Sequence, residues 1–367
     1  MSKRTKIIFI GAILVVIILG IAIGNMEYQK EEATDTMKVG FIISGSTDDE
    51  GWNGMHYKGV KEACEELGVE LIVKENVAEL KGECVKAVKE LADEKASVII
   101  LSSYNYSEEV RKLVKKYPDI AFYCNSSEYH DENMTSYFVR YYQGRYLAGV
   151  LAGLKTKKDK IGYVAAMANN EVNRGINAFT LGVKSVNKDA KVIVRFTDSW
   201  DNEEKEKEAA NKLIDKKKVD VITYHQNKSY VIEAAEEKDV LSIGYHEEFS
   251  GFSDKYLTSV VCNWQKVYKE MIKECLQGRA NSEKNFWLGM EKEVVELSTM
   301  SEKVDRKTVG KIEKAKESIV NGKDVFSDVI YDTKGKKRCD KGETISDDVL
   351  LEHMDWYVEG VKIYEEK

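Results

Sequence analysis

The sequence has no excess of basic residues, no Cys-x-x-Cys pair and no phosphate-binding glycine loop. The formal net charge is -7, which argues against a nucleic-acid partner because phosphate binding needs concentrated positive charge. The six cysteines are scattered, and no zinc-like spacing of histidine, cysteine and carboxylate is present. We therefore interpret the cysteines as small buried side chains. A nucleophile elbow is also lacking, so we predict neither an enzyme nor a cofactor.

The first 36 residues differ in character from the rest of the chain. Lys3, Arg4 and Lys6 precede an uncharged apolar run over residues 7–24, which is long enough to span a bilayer. The run lacks a convincing cleavage site, and no cysteine stands near its end to accept a lipid. We therefore predict an uncleaved signal anchor and tether at residues 1–36 that holds the folded domain at the cell membrane, outside the cytoplasm.

The remaining sequence alternates short apolar runs with amphipathic helical patterns at a repeat of about thirty residues. The uncharged run at residues 39–43, for example, predicts a buried parallel strand. Two successive sets of this pattern predict an α/β fold with two doubly wound lobes and a hinge. We place lobe 1 at residues 37–138 and lobe 2 at residues 139–255, and assign residues 256–367 to a return crossing and C-terminal elements that the lobes share. Within these C-terminal elements we predict a hairpin that turns at Lys334-Gly335 and a helix over residues 346–364.

Two segments contain candidate ligand contacts. Asp49, Trp52 and Asn53 follow the first predicted strand, at the edge where open α/β sheets bind ligands. An aromatic ring beside an amide and a carboxylate suits a flat, hydrogen-bonding heterocycle. Alternatively, Trp52 packs on the sheet and the acidic residues cap the following helix. His225 follows the predicted strand at residues 219–223 and faces the same crevice, either as a ligand contact or as a loop histidine with its own partners.

Four segments resemble the basic membrane protein family, whose members are extracytoplasmic solute-binding components of ABC transporters with the type I periplasmic-binding fold. The resemblance covers residues 39–297, most of the folded chain. The segments are the Asp-Glu-Gly-Trp-Asn turn at residues 49–53, the glycine-rich helix at 142–149, residues 174–182 with the aromatic turn at 199–201, and the crossing at 257–264. Together they are specific for the family.

The resemblance implies that the ligand is a purine. Trp52 and Trp200 match the two aromatic positions, one in each lobe, that sandwich the purine ring in this family. Asp49 and Asn53 match positions that bind the base edge or lie next to it. A base stacked on an aromatic ring gains roughly 1–3 kcal/mol per contact. One ring from each lobe would couple binding to closure of the lobes.

Two positions differ from the nucleoside-binding members, which hold the ribose with an Asp and a Lys. In place of the Asp, the segment after the predicted strand at residues 240–243 contains Tyr245 and His246, which become candidate ligand contacts. Cys262 stands in place of the Lys. We therefore expect a purine base to be preferred over a nucleoside, and an ABC permease as partner. The alternatives are an anchored sensor or regulator with the same lobes, or a binder of another small solute such as a sugar.

Overall fold

The structure is a computed structural model that describes residues 36–49, 51–127 and 129–365. The predicted anchor at residues 7–24 lies outside the described residues. None of the helices in the described ranges is long and apolar enough to cross a membrane.

The described residues alternate between strands and helices, as the apolar runs predict. The strands in chain order are β1 Lys38–Ile42, β2 Glu70–Lys74, β3 Val98–Leu101, β4 Ala121–Asn125, β5 Met134–Val139, β6 Lys160–Ala165, β7 Lys191–Phe196, β8 Val221–His225, β9 Leu241–His246, β10 Tyr256–Cys262, β11 Asn285–Leu288, β12 Val295–Leu297, β13 Ile330–Tyr331, β14 Lys337–Cys339 and β15 Val361–Ile363. The α-helices in chain order are α1 Trp52–Leu67, α2 Glu83–Asp93, α3 Tyr106–Val110, α4 Tyr141–Lys155, α5 Asn170–Val186, α6 Glu203–Lys212, α7 Tyr230–Glu237, α8 Trp264–Leu276, α9 Arg306–Val320 and α10 Asp347–Glu352.

Two largely parallel sheets form the framework. The first has the strand order β11-β5-β4-β3-β1-β2, and its strand pairs are all parallel. The second has the order β12-β10-β9-β8-β6-β7-β15 and is parallel except that β12 runs antiparallel to β10. Helices connect most of the successive parallel strands, whereas loops join β4 to β5 and β9 to β10. We call the first sheet with its helices lobe 1 and the second lobe 2, and this architecture confirms the predicted α/β fold.

The described chain passes between the two sheets at three places. It leaves lobe 1 between β5 and α4, and it returns between β10 and α8, which packs against α1. It leaves lobe 1 again between β11 and β12, which rejoins the second sheet. Several neighbouring strand-like connections of this kind allow two rigid lobes to move about a hinge.

Helices α4 and α5 approach each other closely, as the glycine-rich sequence of α4 predicts. A Cβ atom added to Gly149 would stand 2.0 Å from the carbonyl oxygen of Phe179. One added to Gly182 would stand 2.0 Å from the carbonyl oxygen of Tyr146. Because neither backbone leaves room for a side chain there, these glycines fix the position of α4 beside the cleft.

The C-terminal residues confirm one prediction and correct another. The strands β13 and β14 form the predicted hairpin, with Gly335 at a φ of 79° in its turn. The predicted helix over residues 346–364 is wrong, because α10 is short and is followed by extended chain that ends in β15. The side chain of Asn177 on α5 donates to the carbonyl of Trp356 (2.8 Å) and accepts from the amide of Val358 (2.9 Å). These bonds replace those that a continued helix would make.

Candidate ligand-binding site between the lobes

The strand order locates the expected crevice. In both sheets, the first strand of the βα series lies between the second and the third. Ligands of such sheets bind outside the carboxyl ends of the strands, at the point where the strand order reverses. In lobe 1 this point lies between β1 and β3, and in lobe 2 it lies between β6 and β8. Trp52 begins the helix after β1, Ser102 follows β3, and His225 ends β8. These residues therefore lie where the topology predicts a site.

The turn after β1 is held by its own polar side chains. The Asp49 carboxylate accepts from the amide of Gly51 (3.0 Å) and from both the backbone and the side-chain nitrogen of Asn53 (3.2 Å each). The Asn53 side-chain oxygen accepts from the amide of Gly45 (3.2 Å). Burial alone would raise the pKa of Asp49, but these hydrogen bonds lower it. Both side chains thus organise the turn that carries Trp52.

The indole of Trp52 is half-buried and fixed on two sides. Its Nε1 donates to the carbonyl oxygen of Ser102 at 3.1 Å. Its ring lies 4.0 Å from the ring of His56, which in turn lies 3.8 Å from the ring of Trp264. His56 also bonds through Nδ1 to the hydroxyl of Tyr268. The orientation of Trp52 is therefore set before any ligand arrives, which lowers the cost of binding.

A path of aromatic rings connects Trp52 with Trp200 across the two lobes. Trp52 contacts His246 (centroids 6.1 Å apart), which packs on Tyr245 (3.7 Å). Tyr245 packs on His225 (4.6 Å), and His225 contacts Trp200 (6.0 Å). The structure thus brings the five predicted aromatic residues into one series, with the two tryptophans at its ends.

His246 has a positive φ at the end of β9. Its φ is +71°, in the left-handed region that few residues other than glycine adopt, although histidine is found there more often than most. It is the last residue of β9, at the cleft edge of the second sheet. Backbone strain of this kind concentrates at binding sites, where the surrounding structure holds it in place.

Lys228 provides a polar contact between the lobes that the sequence did not reveal. Its Nζ lies 3.6 Å from Oδ1 of Asp49, although the two residues belong to different lobes. Both side chains are about one-third exposed (35% and 28%), so the pair stabilises the closed arrangement only weakly. Lys228 follows β8 in the loop after His225, and only the docking of the lobes gives it this partner.

His225 is buried and uncharged near neutral pH. Burial lowers its pKa to about 4, although the Glu171 carboxylate nearby acts in the opposite direction. Its Nε2 lies 3.7 Å from Oε1 of Glu171, and its Nδ1 lies 3.5 Å from the hydroxyl of Tyr163. A neutral imidazole in this position can donate or accept a hydrogen bond.

An open groove of about 670 Å³ lies beside the aromatic path. The turn after β1 and helix α1 form one wall, with Asp49 and Lys58, and the ends of β9 and β10 form the other, with His246, Glu248 and Cys262. This volume is within the roughly 300–1,000 Å³ of typical ligand pockets. Of the seven predicted contacts, Asp49 and His246 line the groove, whereas the other five lie along the turn and the buried path.

Burial lowers the pKa of both His225 and His246, so neither carries a charge near neutral pH. Nowhere in the described ranges does a group of three His, Cys, Asp or Glu side chains converge in a way that could hold a metal ion.

Comparison with known proteins identifies the family. Residues 36–327 match the family described as ABC transporter substrate-binding protein, PnrA-like. The chain belongs to this family. A purine-binding protein of Brucella abortus is 33% identical to it over 94% of this chain and 97% of the relative. A protein of Haloferax volcanii, named as an ABC transporter glucose-binding protein, is 29% identical over 89% of this chain and 81% of the relative.

Solved structures support the fold of this substrate-binding family member. A transcriptional activator of the comK gene from Bacillus halodurans has a TM-score of 0.69 at 23% identity, with 78% of this chain and 98% of the other covered. Solute-binding proteins of ABC transporter systems also share the architecture. At these identities the likeness shows the fold alone, which is the type I periplasmic-binding-protein fold.

Proposed function

We propose that this chain is an extracytoplasmic solute-binding protein of an ABC transporter that binds a purine base or nucleoside between its lobes. The main support is the aromatic path, which connects Trp52 of lobe 1 with Trp200 of lobe 2. Every base has a flat face that stacks on such rings. The relative at 33% identity is named for purine binding, which favours this ligand class over a sugar.

We propose further that a free base binds more tightly than its nucleoside. Cys262 and His246 line the open groove. They lie in the two segments where nucleoside-binding members of the family have the charged residues that hold the ribose. Neither residue supplies a charge here, because burial raises the pKa of the Cys262 thiol and lowers that of His246. The ribose hydroxyls would therefore find no charged partner at these two positions.

Calorimetric titration with adenine, guanine, hypoxanthine and their nucleosides tests both statements. We expect binding of at least one base, with the corresponding nucleoside weaker. Equal or tighter binding of the nucleoside would contradict the base preference. Tight binding of glucose or another sugar, with no response to any purine, would contradict the ligand class and support a ligand like the one named for the Haloferax volcanii relative.

The partners follow from the transporter role. We propose that the lobes dock on an ABC permease and that residues 7–24 anchor the protein in the membrane, because the run is long and uncharged. N-terminal sequencing of the protein from the membrane fraction is expected to find the run intact. A mature N-terminus near Asn25 would contradict the anchor. Permease and ATPase genes beside this one would support transport, and an isolated gene would support a sensor.

A further inference from the structure

Arg145 is a fully buried cation that packs against two lobe 2 strands. It lies on α4, has no exposed surface, and its guanidinium carbon stands 3.6 Å from the ring centroid of Tyr245 and 5.5 Å from that of Tyr163. None of its three guanidinium nitrogens forms a hydrogen bond with another described residue. A buried donor without an acceptor costs free energy, and a buried charge costs more.

The neighbouring arginines are different. Arg174, which is also buried, donates through Nη1 to the carbonyl oxygen of Leu350 at 2.7 Å. Arg140 forms two hydrogen bonds with the Asp347 carboxylate, at 2.8 and 2.6 Å. Their donors are used within the fold, whereas the planar set of donors on Arg145 remains available to an enclosed acceptor.

Other buried polar atoms without a hydrogen bond to another described residue lie at the ends of the lobe 2 strands. They are Nε2 of His225 and Oε1 of Gln226 after β8, and the hydroxyl of Tyr245 near the end of β9. Tyr245 is also the ring that connects Arg145 through His246 to Trp52. These groups therefore lie at the edge of the sheet where the cleft is expected.

We propose that Arg145 recognises the ligand through a pair of adjacent acceptors, and that the preferred ligands are 6-oxopurine bases such as hypoxanthine and guanine. This inference rests on the proposed purine-binding function. Arginine has only donors, and its planar fork matches the O6 and N7 atoms of a 6-oxopurine. Adenine presents an amino group beside N7, so one N–H of Arg145 would face another donor.

Glu171 complements this arrangement. Glu171 lies in the first turn of α5, and its carboxylate is 3.7 Å from Nε2 of His225. Burial would raise its pKa, but the nearby His225, Arg174 and Arg145 lower it, so Glu171 is ionised and can only accept hydrogen bonds. A 6-oxopurine carries an N1–H donor beside O6, and the cleft therefore offers an acceptor for the donor as well as donors for the acceptors.

The first test uses the unaltered protein and four ligands. We expect hypoxanthine to bind roughly 5- to 150-fold more tightly than adenine, the range for one bidentate arginine contact. Unsubstituted purine, which lacks O6, and 7-deazahypoxanthine, which lacks N7, should each be weaker than hypoxanthine. Adenine binding as tightly as hypoxanthine would overturn the inference and leave the purine-binding function standing. No response to any purine would overturn both.

The second test asks whether Arg145 causes the preference for hypoxanthine over adenine. Arg145→Lys keeps the charge but removes the planar fork, and we expect the ratio of hypoxanthine to adenine affinity to fall towards one. Arg174→Lys is the matched control, a buried arginine in the same lobe whose change should leave the ratio unaltered. A general loss of affinity with an unchanged ratio in Arg145→Lys would show a structural role and overturn the inference. If that variant does not fold, the ligand series still decides.

Discussion

Replacing Trp200 by alanine should weaken purine binding roughly 5- to 150-fold, because a stacked ring contributes about 1–3 kcal/mol per base. The indole is half-buried and contacts His225 with centroids 6.0 Å apart. The backbone carbonyl oxygen of Trp200 accepts a hydrogen bond from the amide of Asn227 at 3.0 Å, and alanine would retain this bond. The melting temperature should therefore fall much less than for a buried tryptophan, whose removal costs about 3–5 kcal/mol.

Trp52→Ala should show the same loss of affinity together with a larger loss of stability. The ring packs on His56, and its Nε1 bonds to the carbonyl of Ser102, so alanine leaves a cavity and an unpaired carbonyl. Trp52→Phe retains a stacking ring without the hydrogen bond and should recover part of the affinity. The double alanine variant should bind more weakly than either single variant.

Melting temperature and ligand affinity, measured together, separate the two roles. Trp287→Phe is the control, because Trp287 packs on Arg140 and Arg174 away from the path. Trp264 is a poor control because it packs on His56 beside Trp52. A large fall in melting temperature with unchanged affinity, in either alanine variant, would refute the sandwich.

Local sequence pattern predicted the elements of this fold well. The uncharged run at residues 39–43 corresponds to β1, and the helix that follows ends at Gly68, which has a φ of 66°. Such features depend on neighbours a few residues away, through periodicity and backbone preference. The helix predicted for the C-terminal segment was wrong for the opposite reason, since the path of that segment is set by Asn177 on a helix far away in the sequence.

The electrostatic part of the site could not be predicted in the same way. Arg145 stands in a glycine-rich helix whose sequence indicates close packing, and its burial depends on Tyr245 and Tyr163 from other strands. Lys228 finds Asp49 only because the lobes meet. Nothing in the sequence around Glu171 indicates its contact with His225. In each case the property arises from residues far apart in the chain.

Glu206 shows another consequence of burial, in the helix that follows Trp200. Its side chain has no exposed surface, Oε1 accepts from the amide of Asn202 at 3.0 Å, and Oε2 has no hydrogen-bond partner among the described residues. Burial raises its pKa to about 7, with Asp201 and Glu233 adding to the effect and the bond from Asn202 opposing it. The carboxyl therefore changes charge in the neutral range, close to the Trp200 turn.

We expect Glu206→Gln to stabilise the protein at pH 8 by up to about 3 kcal/mol and to change little at pH 4. Below pH 4.5 the carboxyl is protonated in both the folded and the unfolded chain. Between pH 4.5 and 7 only the unfolded chain ionises, so wild-type stability falls as the pH rises. Glutamine keeps an oxygen for the Asn202 amide and never ionises. Denaturant unfolding at several pH values measures the difference.

Glu203→Gln is the control for lost charge, because Glu203 is an exposed carboxylate on the same helix. A Glu206→Gln profile parallel to wild type would contradict the buried, protonated carboxyl.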